Sequence, residues 1–408
     1  MLFCMVVGKV KLVYSRRNTV AFLFLSLAYF IYGITIETFK SALILFGTLI
    51  TFWLIINLNT IDKRKCLNYI TTGFTLLMIP SLILWLINWV MPLPTFGTVQ
   101  IDNDVLAYLP YDNYIIFVKS AFYFFRFNGP FLEPGHVGMM TAFLVYANRY
   151  NFRDWRIVAI SFIMLFTLSL SGYVLLTIGF FLNRFADSAH IIKVVLLAGV
   201  FLFIGYNVAL TYNNGHNYVN ELILDRLQYD EEKGFTGNNR VFGQIDNYYR
   251  FLLNNSQYFW TGYDKKTIKY LAETGSRGTG YVMYVVMHGF LGLIITALFY
   301  IFYALSSSRR KYALLFFLFV CFVFWQRCYP FWTSWLICYV GGISLYEDMK
   351  AKEAIEAQPL RVSKKRRKAG RSRGGIVALP SQGFIDKPVA PASTSASSPS
   401  GSVATPLP

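Results

Sequence analysis

Between two hydrophobic stretches the chain reads Arg126-Phe127-Asn128-Gly129-Pro130-Phe131-Leu132-Glu133-Pro134-Gly135-His136. A permanent cation, a carboxylate and an imidazole thus share one short segment at the mouth of an apolar run. Ionisable side chains at membrane depth are costly, so they are candidates for function. The interspersed glycines and prolines break a helix and let backbone line a cavity. Proline is well tolerated at the start of a helix, so a span beginning at Pro134 puts Glu133 just before its first turn. Such an N-terminus attracts anions, and Arg126 adds a fixed charge beside it. Two roles stay open for Glu133: pairing with an arginine that locks the segment, or acting as a base. His136 is the secondary base.

A second group lies in the polar stretch 211–280, with Arg226, Arg240, Arg250, Arg277, Lys265, Lys266 and Lys269. Arginine presents a planar fork that grips phosphate bidentately, whereas a loop arginine read alone is a solvated charge. The stretch from Gly237 to Asp246 is expected to open an amphipathic helix, capped by Asn238 or Asn239 with Arg240 in its first turn. That helix is expected to run to Phe259, with Ile245, Tyr248, Tyr249, Leu252 and Leu253 as buried anchors, before Trp260 to Tyr263 turn the chain. This aromatic density implies a loop folded onto the rest of the protein. Gly275-Ser276-Arg277-Gly278-Thr279-Gly280 follows, where glycines expose backbone N–H groups to an anion or simply lead flexibly into the next span. His288 reads as a packed residue. Asp102-Asn103-Asp104 has the form of an Asp-x-Asp metal motif, but Asp and Asn are ordinary turn residues, and no metal site is expected. The cysteines and histidines show no metal-ligand spacing, so no cofactor is expected.

These residues must be positioned by membrane helices. Hydrophobic residues make up 55% of the chain and charged residues 14%, a balance no soluble domain of this size buries in repeated apolar runs of roughly 20 residues. About ten spans are expected, at 19–36, 41–58, 70–91, 134–148, 156–171, 172–184, 191–210, 281–304, 311–327 and 331–346, the fifth and sixth parting at Ser171-Gly172. Residues 114–125 are apolar but too short to span, and read as a re-entrant or interfacial helix. The net charge of +17 is spread over short loops (Lys9 to Arg17, Lys63 to Lys65, Arg149 to Arg156, Arg184 to Lys193, Arg309 to Lys311) and one basic tail, which follows the positive-inside pattern and argues against nucleic acid. The expected organisation is a cytoplasmic N-terminus (1–18), a first membrane part (19–210), an outer loop (211–280), a second membrane part (281–346) and a disordered basic cytoplasmic tail (347–408).

The Arg126 to Pro134 segment resembles the Arg-x-x-Gly-x-Phe-x-[Glu/His]-Pro pattern of the O-antigen polymerase and O-antigen ligase superfamily. Leu168-Ser169-Leu170-Ser171-Gly172 is similar to a second segment of that family, Asn239-Arg240 to the start of its long periplasmic loop, and Gly289-Phe290-Leu291-Gly292 to its late span. The chain carries Arg277-Gly278 where many ligases carry His-Asn, which tilts the resemblance toward a polymerase. The resemblance implies an all-α polytopic membrane protein, similar to C-type glycosyltransferases (GT-C-like), in the bacterial inner membrane. It implies a metal-independent enzyme that moves a glycan from undecaprenyl pyrophosphate to a lipid-linked repeat unit at the periplasmic face. Glu133, Arg240, Arg277 and His136 would be catalytic, and Arg126, Ser171, Arg226 and Tyr263 would bind substrate. The partners implied are an undecaprenyl-pyrophosphate-linked oligosaccharide, the lipid bilayer and a chain-length regulator protein, with no nucleic acid. A ligase of the same superfamily, or a flippase or transporter of lipid-linked oligosaccharide, is the alternative.

Overall fold

The computed structural model describes residues 11–31, 39–103, 106–120, 125–187, 229–230, 234–235, 241–242, 244–274, 277–278 and 280–372. Helices dominate them. In chain order they are α1 (Arg16–Ile31), α2 (Phe39–Asn57), α3 (Thr60–Val90), α4 (Pro134–Ala147), α5 (Trp155–Leu165), α6 (Leu170–Asp187), α7 (Ile245–Asn254), α8 (Ser256–Thr261), α9 (Lys265–Glu273), α10 (Tyr281–Leu305), α11 (Arg310–Gln326) and α12 (Thr333–Ser372). The expected span at 191–210 lies outside the described residues. Two helices, α3 and α10, are long and apolar enough to cross a membrane, and shorter apolar helices cover Ala42–Asn57, Trp155–Leu165 and Leu170–Ala186.

Helix α4 is the centre of the bundle. It is apolar on every side and nearly all its residues are buried, the pattern of a helix enclosed by others. Phe143 stacks on Trp335 at 5.5 Å, and Tyr146 stacks on Phe319 at 4.4 Å. Each such ring pair adds about 0.5–1.5 kcal/mol beyond the area it buries. Helix α4 crosses α6 where Gly138 meets Gly172, a small-residue contact of the kind that lets membrane helices approach closely.

The basic loops gather at one end of this bundle. Arg17 donates to the Tyr303 carbonyl and lies over its ring, and Lys63 reaches the Tyr303 hydroxyl. Arg64 pairs with Asp348, Arg309 donates to the Lys350 carbonyl, and Arg149 lies over Tyr346. The other end of α10 begins at Tyr281, against Trp325. The two ends are separated by the length of α10, roughly 37 Å at the rise of an α-helix.

Several expected boundaries differ. Helix α3 starts at Thr60, because Asn59 caps it by accepting from Asp62 N–H, so Lys63 to Lys65 lie in its first turns and not in a loop. The break assigned to Ser171-Gly172 falls earlier, at residues 166–169, and α6 is continuous from Leu170. Among the described residues of 114–125, no re-entrant helix is formed. Strands β1 (Thr98–Asn103), β2 (Leu106–Asn113) and β3 (Val118–Ser120) make an antiparallel sheet, with Tyr111 opposite Val99 and Ser120. The Ile, Val, Phe and Tyr content of that stretch suits a pleated surface better than a helix, and Ile115 has φ of 72°. The last helix does not end at 346 but continues to Ser372, and Glu347 caps the α10–α11 turn through Ser307 Oγ and Ser308 N–H. The chain divides into two compact units, Met1–Glu353 and Ala354–Pro408. In the second, residues 354–372 are helical.

Helix α5 begins at Asp154, which caps it and takes a two-pronged contact from Arg156, whose Nη1 reaches Asn68 and Thr72 on α3. The Arg156 hydrogen bond holds the Asp154 carboxyl below the usual range. Its stabilisation is therefore complete above the unfolded carboxyl value of about 3.9 and is lost as pH falls through the lower folded value. Asp154→Ala is expected to cost about 1–2 kcal/mol near neutrality, and the gap between variant and parent unfolding midpoints in detergent is expected to close as pH falls through the lowered folded value of the carboxyl.

Candidate functional site

Helix α4 opens as the sequence dictates, with Pro134 at its first position and Glu133 as its cap residue. The Glu133 side chain makes no capping bond to its own helix. It turns instead to Arg327, the residue that ends α11, whose Nη2 donates to Glu133 Oε2. Arg327 Nη1 lies 3.1 Å from His136 Nε2. A guanidinium only donates, so this contact requires Nε2 as acceptor and places the imidazole proton on Nδ1. One planar fork therefore holds a carboxylate and a neutral imidazole together. Arg327 is 6% exposed and the Glu133 side chain 17%, so the pair is largely withdrawn from solvent and its charges interact strongly. Gly135 makes the approach possible, because a Cβ there would sit 3.2 Å from Arg327 Nη2.

Aromatic rings complete the cluster. The turn after Arg327 carries Tyr329 and Trp332, which stack at 4.8 Å and 6°. The His136 ring lies 5.6 Å from Trp332 and 6.0 Å from Tyr329. A groove of about 340 Å³ opens beside them, lined by Phe74, Phe131, Met140, Trp332 and Ser334 among others.

Arg126 is placed differently. It is buried, and its Nε donates to the Thr167 carbonyl at 3.0 Å. Thr167 and Ser169 are buried, so the break at 166–169 lies inside the protein, and Arg126 with the Phe127 N–H takes up the Thr167 and Phe166 carbonyls it frees. Backbone broken at such depth requires partners of this kind. Ser171 Oγ lies 3.1 Å from Ser169 Oγ in the same turn.

The long polar stretch packs onto the bundle over residues 245–263. Its helix does not start at Arg240. Residues Val241–Phe242 form strand β4, paired antiparallel with β5 (Arg277–Gly278), and α7 begins at Ile245. A β-branched and an aromatic residue found a partner strand, which outweighed the capping signal of Asn238 and Asn239. Ile245 and Leu252 are fully buried, whereas Leu253 is 44% exposed and is no anchor. The helix expected to reach Phe259 breaks at Asn255, which caps α8. Tyr263 is a packing residue, stacked on Tyr258 with its hydroxyl donating to the Tyr248 carbonyl; burial pushes its hydroxyl pKa up.

Helix α10 receives this lid at a kink. Gly289 has φ of 64° and ψ of −178°, a region essentially reserved for glycine. A Cβ added there would collide with the Trp260 carbonyl, and the Tyr263 N–H takes the Val286 carbonyl at 2.9 Å. His288 is buried beside Tyr284, as a packed histidine should be. At the start of α10, Gly280 lies against Trp325 and Gln326, the residues just before Arg327. The β4–β5 ladder pairs Phe242 with Arg277, and Arg277 stands three residues before Gly280 and its contact with the end of α11. Arg226 and Arg240 lie outside the described residues. Asp102 falls in β1, beside a register shift between Ile101 and Asn103; Asp104 lies outside the described residues. Among the described residues no group of three His, Cys, Asp or Glu side chains is arranged to hold a metal.

Arg327 escaped the sequence reading because it appeared only as the end of an apolar run. The signal was its setting: an arginine followed by Cys328-Tyr329-Pro330, in the turn joining two apolar helices, on the same end of the bundle as Glu133. A carboxylate and an arginine at equal depth are each other's natural partners. Comparison with known proteins finds no matching family model, curated protein or solved structure.

Proposed function

We propose that this chain is a membrane glycosyltransferase of the polysaccharide polymerase type. In this reading it has about ten spans, with both termini in the cytoplasm and the Glu133 site at the periplasmic face of an inner membrane. The observation that carries it is the buried Glu133–Arg327–His136 cluster, at the opposite end of the bundle from the basic loops. The positive-inside pattern assigns those loops to the cytoplasm, which leaves the cluster facing outward, where a lipid-linked oligosaccharide (O-antigen, capsule or exopolysaccharide repeat) would present its sugars.

The chemistry follows from the groups present. An acceptor hydroxyl oxygen attacks the anomeric carbon of the donor glycan, the bond from that carbon to the pyrophosphate oxygen breaks, and undecaprenyl pyrophosphate leaves with the electron pair. Preorganised cations stabilise the charge that develops on the departing oxygen. Arg327 serves here, joined by Arg240 and Arg277 from the long loop. A pyrophosphate that takes donors from Arg327 competes with Glu133 Oε2 and His136 Nε2. Its binding frees a carboxylate or imidazole lone pair to accept the hydroxyl proton. The fork thus keeps the base masked until the anion arrives.

A ligase of the same superfamily gains support from one observation, the imidazole of His136 within hydrogen-bonding distance of an arginine. The two differ only in acceptor. The test is a gel of products from purified protein mixed with undecaprenyl-pyrophosphate-linked oligosaccharide. A ladder of lengthening glycans is expected, and it should vanish in Arg240→Ala with membrane insertion retained. A normal ladder in that variant would remove Arg240 from the site, and transfer only to an acceptor other than a lipid-linked repeat would make the chain a ligase.

A further inference from the structure

A charge withdrawn from water needs an opposite charge or a full set of hydrogen bonds. Lys63 is 8% exposed. Among the described residues its ammonium donates only to the Tyr303 hydroxyl, at 3.3 Å, although it carries three donors. Arg17 reaches the same tyrosine from α1. Its Nη2 donates to the Tyr303 carbonyl, its guanidinium lies 4.7 Å from the ring centre, and its buried Nε has no acceptor among the described residues. The acids at this end of the bundle are engaged elsewhere. Asp62 takes Asn59 and Lys65, Asp348 takes Arg64 and Lys352, and Glu347 takes Ser307 and Ser308. Two cations thus converge on one ring, and among the described residues no carboxylate pairs with either.

We propose that Arg17 and Lys63 hold a phosphate group beside Tyr303, carried by the headgroup of an anionic phospholipid. The guanidinium fork and the ammonium point charge both suit phosphate oxygens, and basic pockets between membrane helices bind anionic headgroups. The backbone adds to this field. Val13 N–H donates to the Asn57 carbonyl and Asn59 N–H to the Lys11 carbonyl, which ties the start of α1 at Arg16 to the start of α3 at Thr60. Helix N-termini carry partial positive charge. The lipid source is favoured by Tyr14, which is 68% exposed and meets Trp53 at 5.8 Å, an aromatic pair of the kind that sits at headgroup level. The site stands at the other end of the bundle from Glu133 and does not depend on the function proposed for that cluster.

The test measures unfolding midpoints of the full chain in phosphatidylcholine nanodiscs, alone, with phosphatidylglycerol titrated in, and with inorganic phosphate added. Phosphatidylglycerol is expected to raise the parent midpoint, with a preference over phosphatidylcholine of roughly thirty-fold for two basic groups. Lys63→Met and Arg17→Gln are each expected to lose about fivefold of that preference. In phosphatidylcholine alone Lys63→Met is expected to be at least as stable as the parent, because it removes an uncompensated buried charge. Arg17→Gln, at a partly exposed position, carries the test if the methionine variant does not fold. A midpoint raised by inorganic phosphate without phosphatidylglycerol would keep the site and make its ligand a free phosphate. No response of the parent to either, or an equal response of parent and variants, would overturn the site and leave Lys63 a strut against Tyr303.

Discussion

On the proposed polymerase reading, Arg327→Ala and Arg327→Lys are each expected to slow glycan extension by about 10²–10³-fold or more. Alanine removes the donors altogether. Lysine keeps the charge but has no planar fork, and only a fork can reach Glu133 Oε2 and His136 Nε2 with two nitrogens at once. The alanine change also strips a partner from a withdrawn carboxylate. Such losses reach about 3–5 kcal/mol for fully buried pairs, and less here because the Glu133 side chain keeps 17% of its exposure. A purely structural pair and a catalytic one are separated by the double variant Glu133→Gln with Arg327→Gln. The double variant has no uncompensated charge, so its unfolding midpoint recovers most of what Arg327→Gln alone loses. Its product ladder does not recover. If activity returns together with stability, Arg327 is a strut and has no part in the chemistry.

Gly289→Ala releases the lid. No side chain fits φ of 64° with ψ of −178° without strain of about 1–3 kcal/mol. The new Cβ would also collide with the Trp260 carbonyl, which is backbone and cannot swing away. The contact is made from both sides, since a Cβ at Gly262 would lie 2.7 Å from the His288 and Gly289 nitrogens. Helix α8 is therefore expected to leave α10, and the segment 255–263 to become sensitive to protease. On the proposed reading glycan extension is expected to fall with it, because the same stretch leads through α9 to the Arg277 strand. Unchanged protease resistance in the variant would mean that the kink tolerates a side chain and the seat is looser than its geometry implies.

Much of this arrangement was legible in the residues. Apolar length marked the helices, and Pro134 marked where α4 begins, because a single local rule decides each. The demand of Glu133 for an arginine was legible too, since a carboxylate at that depth needs a partner. Which arginine answers it was not. Arg126 lies nearby in sequence, but it is drawn to the Thr167 carbonyl exposed by the broken α5–α6 helix, and that break was itself assigned four residues late. The partner, Arg327, is set by how α11 packs on α4, which no local pattern encodes. The strands at 98–120 and at 241–242 were missed for a related reason: strand pairing is a property of two segments, and a short apolar stretch reads equally as helix until its partner is known.

Glu133 and Arg327 are separated by 194 positions. At ordinary translation rates, on the order of 10–40 s pass between the emergence of the carboxylate and that of its guanidinium. During that interval the nascent chain holds an acid at the mouth of a helix without its Arg327 partner, and the proposed reaction centre is incomplete. A chain interrupted anywhere before the α11–α12 turn would be inserted yet inert, with Glu133 still uncompensated and open to quality control. On the proposed reading, the distance along the chain thus works as a completion check: the Glu133–Arg327–His136 cluster is assembled only when the last helices have been made.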